Sequence, residues 1–137
     1  MVKDPATGNA APRVRSYSMS IWLNSLAQPR GCRTLGEVRD KPYSDVFVFI
    51  DTHEDSIRDP AFGICQQNNT VYGNSWIDLP AERHNQGANL SFLDGHVEHY
   101  RWGAAKRFRD YNQLATAGAD RADLRRLQKA LPSPVNR

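Results

Sequence analysis

Two hydrophobic periods follow one another along this chain, first that of strands and then that of a helix. Residues 13–23, RVRSYSMSIWL, place Val14, Tyr17, Met19, Ile21 and Leu23 at near-alternate positions. A period of two with one slip in register predicts a strand that is bent or bulged. VFVFI at 46–50 is apolar throughout and predicts a central strand buried on both faces. NLSFLDGHVEHYRW at 89–102 alternates on both sides of Asp94-Gly95. That pattern predicts a β-hairpin with a two-residue type I′ turn, in which both central residues have positive φ. ADRADLRRLQKALP at 119–132 changes to the helical period, with Leu124, Leu127 and Leu131 on one stripe. There Asp120 is the expected N-cap, Asp123 lies in the first turn where the dipole favours acid, and Pro132 ends the helix. Strands first and a helix last predict an α+β fold: an antiparallel sheet with a C-terminal amphipathic helix.

The remaining stretches read as connections. Residues 1–12 are rich in Ala, Gly, Pro and Asn and are expected to be a mobile lead-in to a globular domain at 13–132, with 133–137 as a tail. In the long connection at 24–45, TLGEVRD predicts a helical turn, because Thr34 can cap and Glu37 lies three residues on. QQNNTVYGNS at 66–75 reads as loop or short irregular strand.

The hairpin decides what its histidines can do. A two-residue turn pairs Leu93 with His96, Phe92 with Val97, Ser91 with Glu98 and Leu90 with His99. Because side chains alternate, Leu90, Phe92, Val97, His99 and Arg101 then share the core face. Asn89, Ser91, Leu93, His96, Glu98 and Tyr100 take the other. His96 and His99 are split between faces and cannot chelate one metal. Ser91, His96 and Glu98 are expected together, a hydroxyl beside a His-carboxylate pair, which is the raw material of nucleophilic catalysis. No G-x-S-x-G elbow accompanies them. His84, just before the hairpin, is expected to pin its loop through the backbone, with a role as general base as the alternative.

Composition narrows the classes further. The net charge of +3 comes from basic residues interspersed with acids, and no nucleic-acid-binding motif accompanies it. No apolar run approaches the roughly 20 residues that a membrane span needs. The first residues lack the apolar core of a signal peptide. Cys32 and Cys65 form no C-x-x-C; two free thiols, or a disulfide in an oxidising compartment, both fit. Structural zinc has no ligand set of suitable spacing.

A second cluster follows the apolar run at 46–50. DTHEDSIRD at 51–59 holds Asp51, His53, Glu54, Asp55 and Asp59. Oxygen donors packed into a loop suit calcium, which takes six to eight oxygens in flexible geometry. The loop is not an EF-hand, since Ser56 stands at the turn glycine and Phe62 at the bidentate glutamate. Asp94 would join only if the hairpin tip folded back onto this loop. Acids paired with nearby arginines are the alternative.

The spacing His84, nine residues, Asp94-Gly95 resembles the signature of the prepilin-type processing-associated domain named for its His-x9-Asp-Gly motif. That domain is the C-terminal part of type II secretion pseudopilin-like proteins. RVRSYSMSIWL, VFVFIDTHEDSIRD, SWIDLPAERHNQGANLSFLDGHVEHYRW and LRRLQKALP look like family blocks in family order, so the resemblance spans roughly residues 13–132. It implies a pilin-like fold at the inner membrane or in the periplasm, with other pseudopilin-like subunits as partners. Some related major pseudopilins hold calcium in C-terminal loops. The resemblance also implies a leader and an apolar N-terminal helix, which this sequence does not show. A fragment, an expressed domain and a free-standing relative are all consistent with that. The sheet face that the helix would cover is then expected to be covered by the C-terminal helix or a second subunit, or left open as an apolar groove beside the C-terminal helix.

Two functions follow. The first is a structural, assembly-forming module, stabilised by calcium or self-associating through the uncovered face. The second is a calcium-dependent hydrolase of a small ester or lactone, with Asp51, His53, Asp55, Asp59 and Asp94 as ligands and His84 or His96, supported by Glu98, as base.

Overall fold

In the computed structural model of the chain, the described residues are 15–137 together with 2–3, 8 and 10–11. Among them the elements in chain order are β1 (Val2–Lys3), β2 (Ala10–Ala11), β3 (Tyr17–Ser20), β4 (Phe47–Asp51), β5 (Ala61–Phe62), β6 (Ser75–Trp76), β7 (Gly87–Phe92), β8 (Val97–Arg101), β9 (Gln113–Leu114) and the helix α1 (Ala119–Gln128). The protein is α+β. Within the lead-in, β1 and β2 pair antiparallel. The rest of that expectation, and residues 13–14 of the predicted first strand, lie outside the described residues.

Five strands form the main sheet in the order β5-β3-β4-β7-β8. It is mixed, which corrects the antiparallel expectation: β3 pairs parallel with β5, Met19 opposite Ala61. After β4 the chain reverses through residues 52–60 and passes over β3, so on arrival it runs in β3's direction. The strands β6 and β9 make a separate antiparallel pair.

β4 is central, as its apolar run predicts, but only one of its faces is sealed. Phe47 pairs with Phe92 and Ile50 with Leu90, with a register shift between them. Phe49 N donates to Ser91 Oγ at 3.2 Å inside that irregularity. Phe47 and Ile50 are fully buried toward α1, whereas Phe49 is 42% exposed. β3 is inverted relative to its sequence pattern. Ser18 and Ser20 are buried, while Tyr17 is exposed and Met19 half-buried. Its apolar alternation therefore marks the face away from α1.

α1 docks as its stripe predicts, with Leu124, Leu127 and Leu131 buried against Phe47, Phe62, Leu90, Trp76 and Trp102. Burying such a side chain contributes about 1.5–3 kcal/mol, more than the weak intrinsic stability of a ten-residue helix. The N-cap is Gly118 rather than Asp120. The Asp120 carboxylate instead reaches back to Thr116 N at 2.9 Å. A second, smaller cluster of Leu23, Cys32, Val38 and Val46 lies on the opposite side of the sheet, with Met19, Val48, Leu93 and Val135 packed against it. Both cysteines are free thiols.

The hairpin forms, but one register away from the expected pairing. Asn89 faces His99, Leu90 faces Glu98 and Ser91 faces Val97. The loop has three residues, not two: Gly95 N donates to Phe92 O at 2.9 Å, and Phe92 N to His96 O at 3.0 Å. Gly95 has φ +93° while Asp94 is not in the left-handed region. This is a type I turn closed by a left-handed glycine, the other common short hairpin connection. A one-residue slip inverts the far strand. Tyr100, Glu98 and His96 now follow the core side, and Val97, His99 and Arg101 the outer side.

The tail is docked rather than free. Val135 N donates to Arg30 O at 2.8 Å, and Arg137 pairs with Glu37 at 2.9 Å. The predicted turn at Thr34 is a 3-10 turn, Leu35–Glu37, with no side-chain cap from Thr34. Glu37 Oε2 accepts instead from Arg33 N at 2.6 Å.

Candidate functional site

His84 occupies the tight turn that leads into β7, where Asn85 and Gln86 both take left-handed conformations (φ +51° and +55°). Its Nε2 stands 3.3 Å from Asp51 Oδ2 at the end of β4. The same carboxylate oxygen accepts Asn89 N at 3.0 Å. His84 O accepts from His99 Nε2 at 2.5 Å, and since a carbonyl only accepts, that imidazole carries its proton on Nε2. Arg83 clamps the neighbouring ends, donating to Thr52 O at 2.9 Å and Ser16 O at 3.2 Å and pairing with Glu54 at 3.1 Å. At the base of the hairpin His84 thus meets Asp51, and His99 holds the His84 carbonyl. These are knots between β4, the turn and β8, made largely to backbone.

His96 and Glu98 stand at the other end. His96 Nδ1 bonds Asp94 Oδ1, and its Nε2 lies 3.6 Å from Glu98 Oε2. The ring stacks on Phe92, centroids 4.5 Å apart. The hydrogen bond to Asp94, with help from Glu98, raises the His96 pKa above its usual 6.5, and the same bond lowers that of Asp94. The expected trio is not assembled, because Ser91 opposes Val97 on the other face and spends its hydroxyl on Phe49 N.

The acidic loop disperses its carboxylates. Glu54 pairs with Arg83. Asp59 Oδ1 accepts Ala61 N at 2.9 Å. Asp55 is exposed, with His53 Nδ1 at 4.0 Å. The His53 ring stacks on Phe108 at 6.2 Å. Asp94 does not fold back toward this loop. It lies beyond Phe92 while Asp51 is level with Asn89, a separation of about 15 Å at the strand rise. Among the described residues, no three His, Cys, Asp or Glu side chains converge as a metal would require. As arranged, Asp51, His53, Asp55, Asp59 and Asp94 are not one calcium sphere.

Two buried charged groups escape the sequence reading. Asp78 is sunk under Gly63, whose N donates to it at 2.7 Å, with Arg58 at 3.4 Å; burial pushes its carboxyl pKa up. Lys106 has a fully buried side chain, with Nζ 2.7 Å from Asp123 Oδ2 and 3.1 Å from Asp120 Oδ1. The signal for it exists in the helical period. Asp120 and Asp123 fall on the same stripe as Leu124, Leu127 and Leu131, so two acids are directed inward and require a cation.

The apolar groove expected beside the helix lies on the opposite face. A shallow cleft of about 420 Å³ is lined by Met19, Leu23, Leu26, Ala27, Pro60 and Ala61 among others. Tyr17, Phe49 and Val97 continue that face and are exposed. No described helix is long and apolar enough to cross a membrane. No protein-family model matches the chain, and no curated protein or solved structure is found to be similar to it.

Proposed function

We propose that the chain is a structural module with a pseudopilin-like role in assembly, engaging other subunits through the outer face of its sheet. One observation carries this reading: every part of the His-x9-Asp-Gly signature has a building task. His84 ties the end of β4 to the hairpin base, and Asp94-Gly95 forms the turn that sets its register. A signature of this kind specifies a folding unit. The outer face offers Tyr17, Met19, Val48, Phe49 and Val97 in varying exposure, apolar surface of the sort that marks interaction sites.

The test compares wild type with His84→Ala in thermal melts and in chromogenic-ester turnover, each with calcium and with chelator. Losing the contact to Asp51 is expected to cost about 1 kcal/mol, a Tm decrease of about 3–5 °C, with no turnover in either protein. Calcium-dependent turnover in wild type that His84→Ala abolishes at unchanged Tm would overturn the proposal in favour of the hydrolase.

A further inference from the structure

Lys106 leaves β8's far end on a short loop and turns inward. Its ammonium lies between the rings of Trp76 and Trp102, 5.5 Å and 5.3 Å from their centroids. Besides the two carboxylates, Nζ reaches Ala104 O at 2.8 Å. Asp123 also receives two backbone donors, Gly103 N on Oδ1 at 2.9 Å and Ala104 N on Oδ2 at 3.1 Å. Asp120 is fixed by Trp76 Nε1 at 3.1 Å and by Thr116 N. An amine, a carboxyl polarised by two amides, and a second carboxyl touching the amine are therefore enclosed in an aromatic box.

We infer that this box is a self-modification site, at which Lys106 Nζ and Asp123 Cγ join in an intramolecular amide bond. Asp120 takes a proton from the ammonium and frees the Nζ lone pair to attack Cγ. Gly103 N holds the oxygen that carries the developing charge, as an oxyanion hole would. Asp120 then returns its proton, and a second proton leaves the nitrogen. The C–Oδ2 bond breaks and Oδ2 departs with both protons as water. The ammonium and the carboxylate become one neutral amide, and no oxidant, metal or nucleotide is consumed. Two features favour the condensation: fixed geometry, with effective molarities for oriented groups of about 10⁵–10⁸ M, and the removal of the Lys106 and Asp123 charges from a dry interior, which leaves the Asp120 carboxylate held by Trp76 Nε1 and Thr116 N. The bond would lock the segment after β8 onto the first turn of α1.

Intact-mass measurement of the denatured full-length chain, followed by tryptic mapping, tests this directly. The expected mass is one water below that of the sequence. Residues 102–107 should be recovered uncleaved after Lys106 and joined to residues 122–125. Lys106→Arg and Asp123→Ala should each restore the full mass, and Asp120→Asn should leave the chain largely uncondensed. Full sequence mass in wild-type protein that melts cooperatively would overturn the inference. So would a water loss that maps instead to Asp94-Gly95, the signature of a succinimide.

Discussion

His96 is clasped by Asp94 and Glu98 at the hairpin tip, and the protonated ring is the form both carboxylates favour. Its folded-state pKa is raised, so the clasp is complete below the usual 6.5 and is lost as pH rises through the folded value. In an NMR titration the His96 ring is expected to titrate above 6.5, and Asp94→Asn should return the midpoint toward that value. An unmoved midpoint in the variant would remove Asp94 as the cause. Single residues were unevenly legible in the sequence. A tying place for His84 could be read from its position before the hairpin, although its side chain meets the Asp51 carboxylate and not backbone. The inward acids Asp120 and Asp123 call for a buried cation, but nothing local to Lys106 marks it as the one that answers.

Among the elements, the β7–β8 pair depends on a close approach at Gly87. A Cβ there would stand 2.2 Å from Tyr100 O and 2.7 Å from His99 Nε2. The first of these is backbone and cannot yield cheaply, so Gly87→Ala is expected to destabilise by about 1–3 kcal/mol. A lower denaturation midpoint at unchanged m-value checks it. The C-terminal tail carries a pH dependence of its own. Hydrogen bonds from Arg137, then from Arg33 N, lower the Glu37 pKa to about 2. Its depressed value means the latch is intact above the ordinary 4.5 and weakens as pH falls toward about 2. The protection factor for hydrogen exchange at Val135 N, bonded to Arg30 O, should fall over that window. Unchanged protection there would show that the tail is held by Val135 packing alone. The helix and β7 were legible because their hydrophobic periods report burial, whereas β3 was placed by an alternation whose buried side is Ser18 and Ser20. Register was not, because Asp-Gly serves both two- and three-residue loops, and φ at Asp94 separates them.

Across the whole molecule, two unequal clusters flank one mixed sheet, and the larger is closed by α1. The Lys106 triad stitches that closure together where the helix begins. Lys106→Met removes both the cation and the nitrogen of the inferred amide and leaves Asp120 and Asp123 as buried acids with no partner cation, so it is expected to cost about 3–5 kcal/mol, a large share of a typical domain's stability. Equilibrium denaturation reads this, and a loss below 1 kcal/mol would mean that solvent reaches the site. The α+β class was visible in the order of periods. The parallel β5 was not, since two residues carry no period and their partner is chosen by the path of the chain.

The three-residue loop at Leu93-Asp94-Gly95 has a consequence for how this chain tolerates change in length. β8 carries two different messages on its two sides, Glu98 and Tyr100 on one and Val97, His99 and Arg101 on the other. Loop length acts as a parity bit that selects which message is turned inward. Deleting one residue at the tip would send Arg101 toward the tryptophans and eject Tyr100, although every side chain of β8 remained the same.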